Sequence, residues 1–396
     1  MTTYRNAKPE EFLDCIDLGN AVFSQSSCPH NFSRMIPKVY GEDKNNASIH
    51  KVAVLENGRL CAQVACLPQT LSICGYPLRA GFIGTVSVHP RARGEGHMKA
   101  LMNAWIEEMR ETCDLSVLGG QRQRYEYFGY THGGQQMVYT VNSSNIRHAL
   151  RGVDASPFSF RPLEETPEAV ELALSLHNAR IARVERSADL FSDIMRTFGE
   201  QPLAVYKNEK PVGYLLLFND NKSILELALS QWEDFEPMLK AYMQSTGTQQ
   251  LTIPTPVWDT ELNRRLSVFA ESYRLEQNEM FRIFQFANVL EAYLTLKLRT
   301  EGLTPGVFSA ILDGQPVTAR VDDTGLSVER SALPGAPELT LREAQELLLT
   351  PHGRWLPVQA PNGWFPLPIF WYAADNFENK GHAYPVPTKS CVPRWY

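Results

Sequence analysis

The 396-residue chain lacks the sequence patterns of several protein classes. No run of five or more basic residues occurs and the formal net charge is -6, which disfavours nucleic-acid binding. No uninterrupted apolar stretch approaches the roughly 18 residues of a membrane-spanning helix. The first residues, "MTTYRNAKPEEF", contain neither the charged nor the apolar part of a secretory signal. We therefore expect a cytoplasmic protein that binds neither nucleic acid nor membranes.

Cysteine is also used sparingly. The seven cysteines are odd in number and show no CxxC spacing, which favours reduced thiols over a disulfide framework or a zinc site. Cys28 and His30 in "CPH" could begin a metal site, but the pattern is more typical of a loop coincidence. We predict no metal.

What is present is an ordinary globular composition, 43% hydrophobic and 21% charged, in a chain long enough for two or three domains. The segment "PEEFLDCIDLGNAVF" has helical spacing. It is followed by "KVAVLENGRLCAQVACLP", a predicted hairpin around Asn57-Gly58. The later stretch "PLAVYKNEKPVGYLLLF" (202–218) repeats that outline and leads into another strand and helix. We predict an internal duplication, with boundaries near residues 150 and 290.

The pattern changes after about residue 290. A helix ("NVLEAYLTLKL") precedes three alternating strands ("GVFSAILDG", "VTARVDD", "GLSVER") and an apolar helix ("TLREAQELLLT"). This succession predicts a third, α+β unit. Its apolar faces could hold a hydrophobic ligand, although filling the unit's own core is the favoured interpretation.

The stretch "TVSVHPRARGEGHMKALMNAWIEEM" (85–109) combines a strand, a loop and a helix. Val86 and Val88 alternate with polar residues, which predicts a half-buried strand that ends at Pro90. The helix has one apolar face, made by Met98, Leu101, Met102, Trp105, Ile106 and Met109. A glycine loop between the two presents backbone N–H groups at the positive end of a helix dipole, which suits phosphate oxygens. The glycines permit positive φ and the arginines add charge: Gly94, Gly96, Arg91 and Arg93.

Three phosphate-binding motifs compete for this loop. "GEGHMK" is not a Walker loop, and a dinucleotide fingerprint would need a third glycine where Lys99 stands. The remaining pattern, "RARGEG", resembles the pyrophosphate loop of the GCN5-related N-acetyltransferases (GNAT), which bind acetyl-coenzyme A (acetyl-CoA). In the second copy "SQWEDF" takes the place of this loop, so that copy is predicted to be degenerate.

Two further motifs resemble the Eis (enhanced intracellular survival) acetyltransferase family within the GNAT superfamily, over essentially the full length. "RYEYFGYTHGG" (124–134) matches a Tyr-x-x-Phe-Gly-Tyr segment at Tyr125, Phe128, Gly129 and Tyr130. The aromatic end "CVPRWY" resembles the family's C-terminus, which threads back into the active site. The resemblance implies an α/β (α+β) fold with mixed sheets: a GNAT domain at 1–150, a degenerate GNAT-like domain at 151–289 and a sterol-carrier-like domain at 290–396.

The resemblance also implies roles for individual residues. Val86 and Val88 would bond the pantetheine arm of acetyl-CoA through backbone groups, and Tyr125 would be the general acid. The terminal carboxylate of Tyr396 would be the base or would orient the amine. The remaining predicted coenzyme contacts are Ser87, Arg91, Arg93, Gly94, Glu95, Gly96 and His97. Family members are homo-oligomers, usually hexamers, and we expect the same here.

These observations predict an acetyl-CoA-dependent N-acetyltransferase that acts on a primary amine. The alternative is a non-catalytic protein that binds a lipid or small molecule in the third unit. An aminoglycoside acceptor would favour carboxylates in the cleft, but neither "RWY" nor "FSQSSCPHNF" (23–32) contains an acid. This departure favours a less charged amine; a small amine, a peptide N-terminus and a lysine side chain remain open.

Overall fold

The computed structural model describes residues 2–25 and 29–377 of the chain. Tyr396 and Cys28, which the sequence singled out, lie outside the described residues. The helices are α1 (Phe12–Ser24), α2 (Phe32–Met35), α3 (Pro37–Tyr40), α4 (His97–Thr112), α5 (Arg122–Tyr125), α6 (Ser143–Ala149), α7 (Pro167–Asn178), α8 (Phe191–Met195), α9 (Phe235–Thr246), α10 (Thr260–Phe269), α11 (Phe286–Thr300) and α12 (Leu341–Leu349). Among these described helices, none is both long and apolar enough to cross a bilayer.

The strands are β1 (Thr3–Asn6), β2 (His50–Val54), β3 (Leu60–Ile73), β4 (Tyr76–Val88), β5 (Leu115–Leu118), β6 (Thr131–Gly133), β7 (Gln136–Asn142), β8 (Phe158–Pro162), β9 (Ala182–Val184), β10 (Gln201–Lys207), β11 (Lys210–Leu217), β12 (Ile224–Leu229), β13 (Gln250–Pro256), β14 (Ser272–Glu276), β15 (Glu279–Ile283), β16 (Gly306–Leu312), β17 (Gln315–Asp322), β18 (Gly325–Glu329) and β19 (Glu338–Leu339). They confirm the predicted hairpin at Asn57-Gly58, and the stretch 202–218 that repeats its outline forms a second hairpin around Asn208.

The strands form several mixed or antiparallel sheets, as the predicted α/β (α+β) class requires. The largest has the order β1-β2-β3-β4-β5-β15-β6, with β9 beside β3, and β4 and β5 run parallel within it. The other sheets have the orders β12-β11-β10-β8, β13-β7-β14 and β18-β17-β16-β19.

The first two predicted units exchange strands. β7, from the first unit, lies between β13 and β14 of the second. β15, from the second unit, inserts between β5 and β6 of the first. The domain boundaries stay a prediction, but these sheets cross the boundary drawn near residue 150. The exchange could not be predicted from the sequence, because each strand has an ordinary apolar pattern that does not specify which strand it pairs with.

The predicted elements of the third unit are present as α11, β16 to β18 and α12. α11 is largely buried. It packs both against β17 and β18 of its own unit and against β3 and β4 of the first sheet. The apolar residues of the unit join one core with those of the first sheet. This packing favours the core interpretation of the apolar faces, and the likeness to a sterol-carrier domain stays a prediction.

A group of buried charges ties the second unit to the end of the described chain. Arg186 donates to Asp375 through Nε (2.8 Å) and Nη2 (2.9 Å). It also donates to Glu226 through Nη1 (3.1 Å) and Nη2 (2.9 Å). Burial by itself raises the pKa of Glu226, but Arg186 and Arg180 more than offset this, and the pKa lies well below its usual value. The Glu226 carboxylate is therefore ionised inside the protein.

Hydrogen bonds and packing hold the last described residues beside β4. Lys38 Nζ donates to the Ala374 carbonyl (2.6 Å), and the Gln69 amide donates to the Asp375 carbonyl (2.9 Å). Phe377 packs so tightly on Gly84 of β4 that a Cβ there would lie 2.5 Å from its ring. The described chain therefore ends against the strand that carries the predicted pantetheine contacts.

Candidate active site

β4 is distorted where the sequence predicts coenzyme contacts. Its pairing with β3 shifts between Gln63 and Ala65, so β4 carries one extra residue at Thr85–Val86. Thr85 has a φ of 50°, which is a strained conformation for a β-branched residue. β4 pairs with β5 only from Ala80 to Phe82, and in the described part of the chain no strand pairs with this edge of β4 beyond Phe82. The sheet therefore opens beside Val86, where an extended ligand could add to it.

The burial of the two faces of β4 at this point is the reverse of what side-chain hydrophobicity suggests. Thr85 and Ser87 are buried, whereas Val86 and Val88 are only partly buried. The polar pair is satisfied internally, since the Thr85 hydroxyl bonds with the Tyr40 hydroxyl (2.7 Å) and Ser87 Oγ donates to the Thr85 carbonyl (3.2 Å). The valines pack on the cluster around α4 and remain partly open. The strand is half-buried as predicted, but its apolar face is the accessible one.

The loop before α4 has the conformation that its glycines predicted. Gly94 and Gly96 have φ of 87° and 83°, and in neither case would a Cβ meet a neighbouring atom, so the need for glycine is conformational. Gly96 is the N-cap of α4 and provides no side-chain acceptor. By contrast, α7, α10 and α12 are capped by the side chains of Thr166, Asp259 and Thr340. The first-turn N–H groups of α4 therefore suit an external anion at the positive end of the helix dipole.

An open groove of about 430 Å³ lies over this loop. Arg93 and Lys99 give it positive charge, and Lys99 Nζ lies 5.0 Å from the centroid of the Tyr127 ring. Its lining residues are Val88, Ala92, Arg93, Gly94, Gly96, His97, Met98, Lys99, Tyr127 and Phe128. The groove thus runs from the end of β4 to the start of α4 and to residues 124–134, called here the tyrosine segment. Its cationic groups lie at the loop.

The histidine at the start of α4 has a structural position. The His97 side chain is buried, with the Tyr4 hydroxyl 2.9 Å from Nδ1 and the Glu95 carboxylate 3.1 Å from Nε2. Both ring nitrogens are thus engaged, so a coenzyme contact of His97 would come from its backbone. Glu95 is held by the same ring. Arg91, although predicted to bind the pyrophosphate, is not among the described residues that line the groove.

The tyrosine segment forms the wall opposite the loop. Tyr125 ends α5, is 5% exposed and packs edge-on against Tyr130, with ring centroids 6.5 Å apart. It is not among the described lining residues of the groove and lies in the same apolar cluster as Val86 and Val88. The Tyr130 hydroxyl bonds with Ser116 Oγ (2.7 Å), and burial raises the Tyr130 pKa well above its usual value. Tyr130 is thereby a poor proton donor.

Sequence reasoning missed several residues of this site. Lys99, Met98 and Tyr127 line the groove, and Thr85 forms the bulge. Lys99 could have been found as a cation in the first turn after the glycine loop, where a bound anion would lie. The bulge had no local signature, because threonine rarely adopts a positive φ.

Within residues 2–25 and 29–377, no group of three or more His, Cys, Asp or Glu side chains could hold a metal ion.

Comparison with known proteins gives a family match for this region. Residues 3–133 match the family model described as an acetyltransferase (GNAT) domain. No curated protein sequence matches the chain. Among solved structures, the whole chain resembles Eis1 from Mycobacterium abscessus, with 13% identity, a TM-score of 0.63 and coverage of 95% of this chain and 100% of that one.

Two other solved structures share the fold. One is a GCN5-related N-acetyltransferase from Anabaena variabilis, with 17% identity, a TM-score of 0.60 and coverage of 88% of this chain and 89% of that one. The other is a probable N-acyltransferase from Enterococcus faecalis, with 18% identity, a TM-score of 0.60 and coverage of 86% and 88%. At these identities the likeness shows the fold alone.

Proposed function

We infer that this protein, an N-acetyltransferase with a GNAT domain at residues 3–133 and an Eis-like fold, transfers the acetyl group of acetyl-CoA directly to a primary amine. The observation that carries the proposal is the groove over the glycine loop. It combines the N-terminal end of α4, which lacks a side-chain cap, with Arg93, Lys99 and the open edge of β4.

In this proposal the coenzyme lies along the groove. Its pyrophosphate binds at residues 91–97, where backbone N–H groups and Arg93 compensate its charge. Its pantetheine amides add to the open edge of β4 at Val86–Val88, as a further strand would. The thioester then lies where β4 leaves β5, beside the apolar cluster that contains Tyr125.

Tyr125 is the proposed general acid for the departing thiolate. A thiol has a pKa near 8.5 and tyrosine near 10, so full proton transfer from tyrosine is uphill by about 2 kcal/mol, which a hydrogen bond to the developing thiolate reduces. Tyr130 is not assigned this role, because its hydroxyl is bonded to Ser116 and burial raises its pKa.

The terminal carboxylate of Tyr396 is proposed to orient the amine or to relay its proton through water. An unperturbed α-carboxylate near 3.5 is about 6 pKa units from an ammonium, or about 8 kcal/mol, so direct abstraction is unfavourable. The attachment of Ala374, Asp375 and Phe377 beside β4 supports this role, because the remaining 19 residues start next to the proposed thioester position.

The acceptor is proposed to be a small-molecule or peptide amine of low positive charge, because the terminal residues and the stretch at 23–32 contain no carboxylate side chains. The hexameric state, carried over from the family, also stays a prediction.

The double variant Arg93→Ala, Gly96→Val is expected to weaken acetyl-CoA binding by about tenfold or more, because the loop loses a cation and a backbone conformation that only glycine adopts readily. Isothermal calorimetry measures the affinity, and circular dichroism verifies the fold. The control is Arg110→Ala, which removes an exposed arginine from the far end of the same helix. Equal affinity of the folded double variant and the control would contradict the loop assignment.

The same calorimetry separates the enzyme from the alternative, a lipid-binding protein with a vestigial first half. The enzyme is expected to bind acetyl-CoA in the micromolar range, within the usual span of KM values. Absence of binding at millimolar acetyl-CoA would overturn the proposed function.

Tyr125→Phe is expected to lower turnover by about a hundredfold, the lower end of the range for a positioned acid, because the thiol leaving group is itself fairly acidic. Acetyl-CoA affinity should change little, since only the hydroxyl is removed. A steady-state assay of thiol release with a reactive model amine measures this. Tyr273→Phe, which removes an exposed hydroxyl on β14, away from the described lining of the groove, is the matched control. Unchanged turnover in Tyr125→Phe would assign the proton donor to another group.

A further inference from the structure

The amide of Gln345 bridges three parts of the chain. Gln345 lies on α12 of the C-terminal unit and is fully buried. Its Nε2 donates to the Gly129 carbonyl (2.8 Å) and to Thr131 Oγ1 (3.0 Å), both in or beside the tyrosine segment. Its Oε1 accepts from the backbone N–H of Ile283 on β15 (2.8 Å). One side chain thus links α12, the inserted strand and the turn that follows Tyr125.

The turn at Gly129 is enclosed by the same elements. Gly129 has a φ of 78°, and a Cβ at this position would lie 2.7 Å from Leu341 of α12 and would also meet the Arg282 guanidinium. Arg282 of β15 donates to the Phe128 carbonyl. On the outer side, Arg342 forms an ion pair with Glu126 (3.3 Å). Consecutive carbonyls of the segment are therefore held by groups that belong to other units.

These contacts determine where the segment lies relative to the groove. The Tyr125 N–H is bonded to the Gln121 carbonyl (3.4 Å), and the Tyr125 carbonyl accepts from Tyr130 N (3.2 Å). The helical turn therefore has its own short-range bonds at each end. Longer-range bonds to the Gly129 and Phe128 carbonyls attach it to α12 and β15, and the bond between Tyr130 and Ser116 attaches it to β5. Loss of one such bond would shift Tyr125 as a rigid part of the turn rather than unfold the turn.

We propose that Gln345 is a positioning residue for acetyl transfer, through which the C-terminal unit places the tyrosine segment and with it Tyr125. This inference rests on the proposed function, because it acts through the general acid assigned there. It gives the C-terminal unit a catalytic contribution that requires no ligand of its own. A misplacement of about 1 Å of a reacting group can cost about a hundredfold in rate.

Gln345→Leu, which removes both donors and the acceptor, is expected to lower kcat by about tenfold or more, with a smaller change in the KM for acetyl-CoA. Gln315→Leu is the matched control. Gln315 also bridges the C-terminal unit to the residues that follow β15, donating to the Phe284 carbonyl (2.8 Å) and accepting from Phe286 N (3.2 Å), but neither of these hydrogen bonds reaches the tyrosine segment. An equal loss of kcat in both variants, or no loss in Gln345→Leu, would overturn the proposal.

A double variant separates positioning from general destabilisation. In the Tyr125→Phe background, Gln345→Leu should cause little further loss of kcat, since the group that it positions is already gone. A full additional tenfold loss would show that Gln345 does not act through Tyr125. If Tyr125→Phe alone keeps wild-type turnover, the assignment of Tyr125 as the general acid is wrong. If Tyr125→Phe lowers turnover but Gln345→Leu does not, only the positioning role of Gln345 is wrong.

If Gln345→Leu does not fold, Gln345→Glu takes its place. It keeps an acceptor for Ile283 and loses the donors to Gly129 when ionised. Its kcat relative to wild type should rise as the pH falls, because the protonated carboxyl can again donate. A kcat of Gln345→Glu equal to the wild-type kcat at every pH would contradict the proposal.

Discussion

Two glycines added after Tyr396 are expected to lower turnover by about 10²- to 10⁴-fold, the range for a positioned acid–base group, while acetyl-CoA binding stays nearly intact. The extension moves the terminal carboxylate by two residues without changing any side chain. Tyr396→Phe should be mild by comparison, because any residue at the end supplies the same carboxylate. A C-terminal purification tag should act like the glycines.

The measurement is the same assay of thiol release, run on protein without a C-terminal tag, with calorimetry for acetyl-CoA. An N-terminal extension of two glycines is the matched control. Full activity in the C-terminally extended protein would remove the carboxylate from the mechanism, and the proton acceptor would then be sought at His89 or in solvent.

Arg186→Met is expected to lower the free energy of unfolding by about 3 to 5 kcal/mol, the usual effect of breaking a buried ion pair. Arg186 has a fully buried side chain and is the ion-pair partner of both Glu226 and Asp375. Glu226 would keep Arg180 (2.7 Å), but Asp375 would become a buried carboxylate without the cation that now lies 2.8 Å away. The main loss therefore falls on the anchor of the C-terminal segment.

Urea denaturation followed by circular dichroism measures this change. Arg196→Met is the control, because Arg196 pairs with Glu164 (3.3 Å) and Asp193 (3.2 Å) but is half exposed, and exposed pairs contribute about 0 to 1 kcal/mol. Equal stabilities of the two variants would show that the buried cluster does not hold the fold together.

Features that depend on neighbouring residues could be predicted from the sequence. The glycine loop is an example: Gly94 and Gly96 have the positive φ expected of them, and the helix after them has the predicted buried face except for Met98, which lines the groove instead. The turn at Asn57-Gly58 and the strands of the third unit are likewise encoded within a few residues of themselves. Each of these features follows from a local backbone preference or from the periodicity of apolar residues, so it can be predicted without the rest of the chain.

Features that depend on distant partners could not be predicted. Nothing in "ARIARVERSADLF" distinguishes the buried Arg186 from its neighbours, since its carboxylate partners lie 40 and 189 residues away. Gln345 looks like a polar position on an amphipathic helix, yet it is fully buried because α12 meets the tyrosine segment there. The candidate site was thus predictable as a motif, while its supporting contacts required the tertiary structure.

The inserted strand β15 has a consequence for synthesis on the ribosome. In the described chain, β15 is the strand that joins β6 to the first sheet, since β6 pairs with no other strand. Until residues 279–283 have been made, β5 is therefore an edge strand and β6 has no partner. Residues 279–283 follow the end of β5 by 279 − 118 = 161 residues, which takes roughly 10 to 30 s at typical rates of translation. During that time the edge of β5 offers unpaired backbone groups to other nascent chains. The sheet of the matched acetyltransferase segment, residues 3–133, is therefore completed only after residue 283 has been translated.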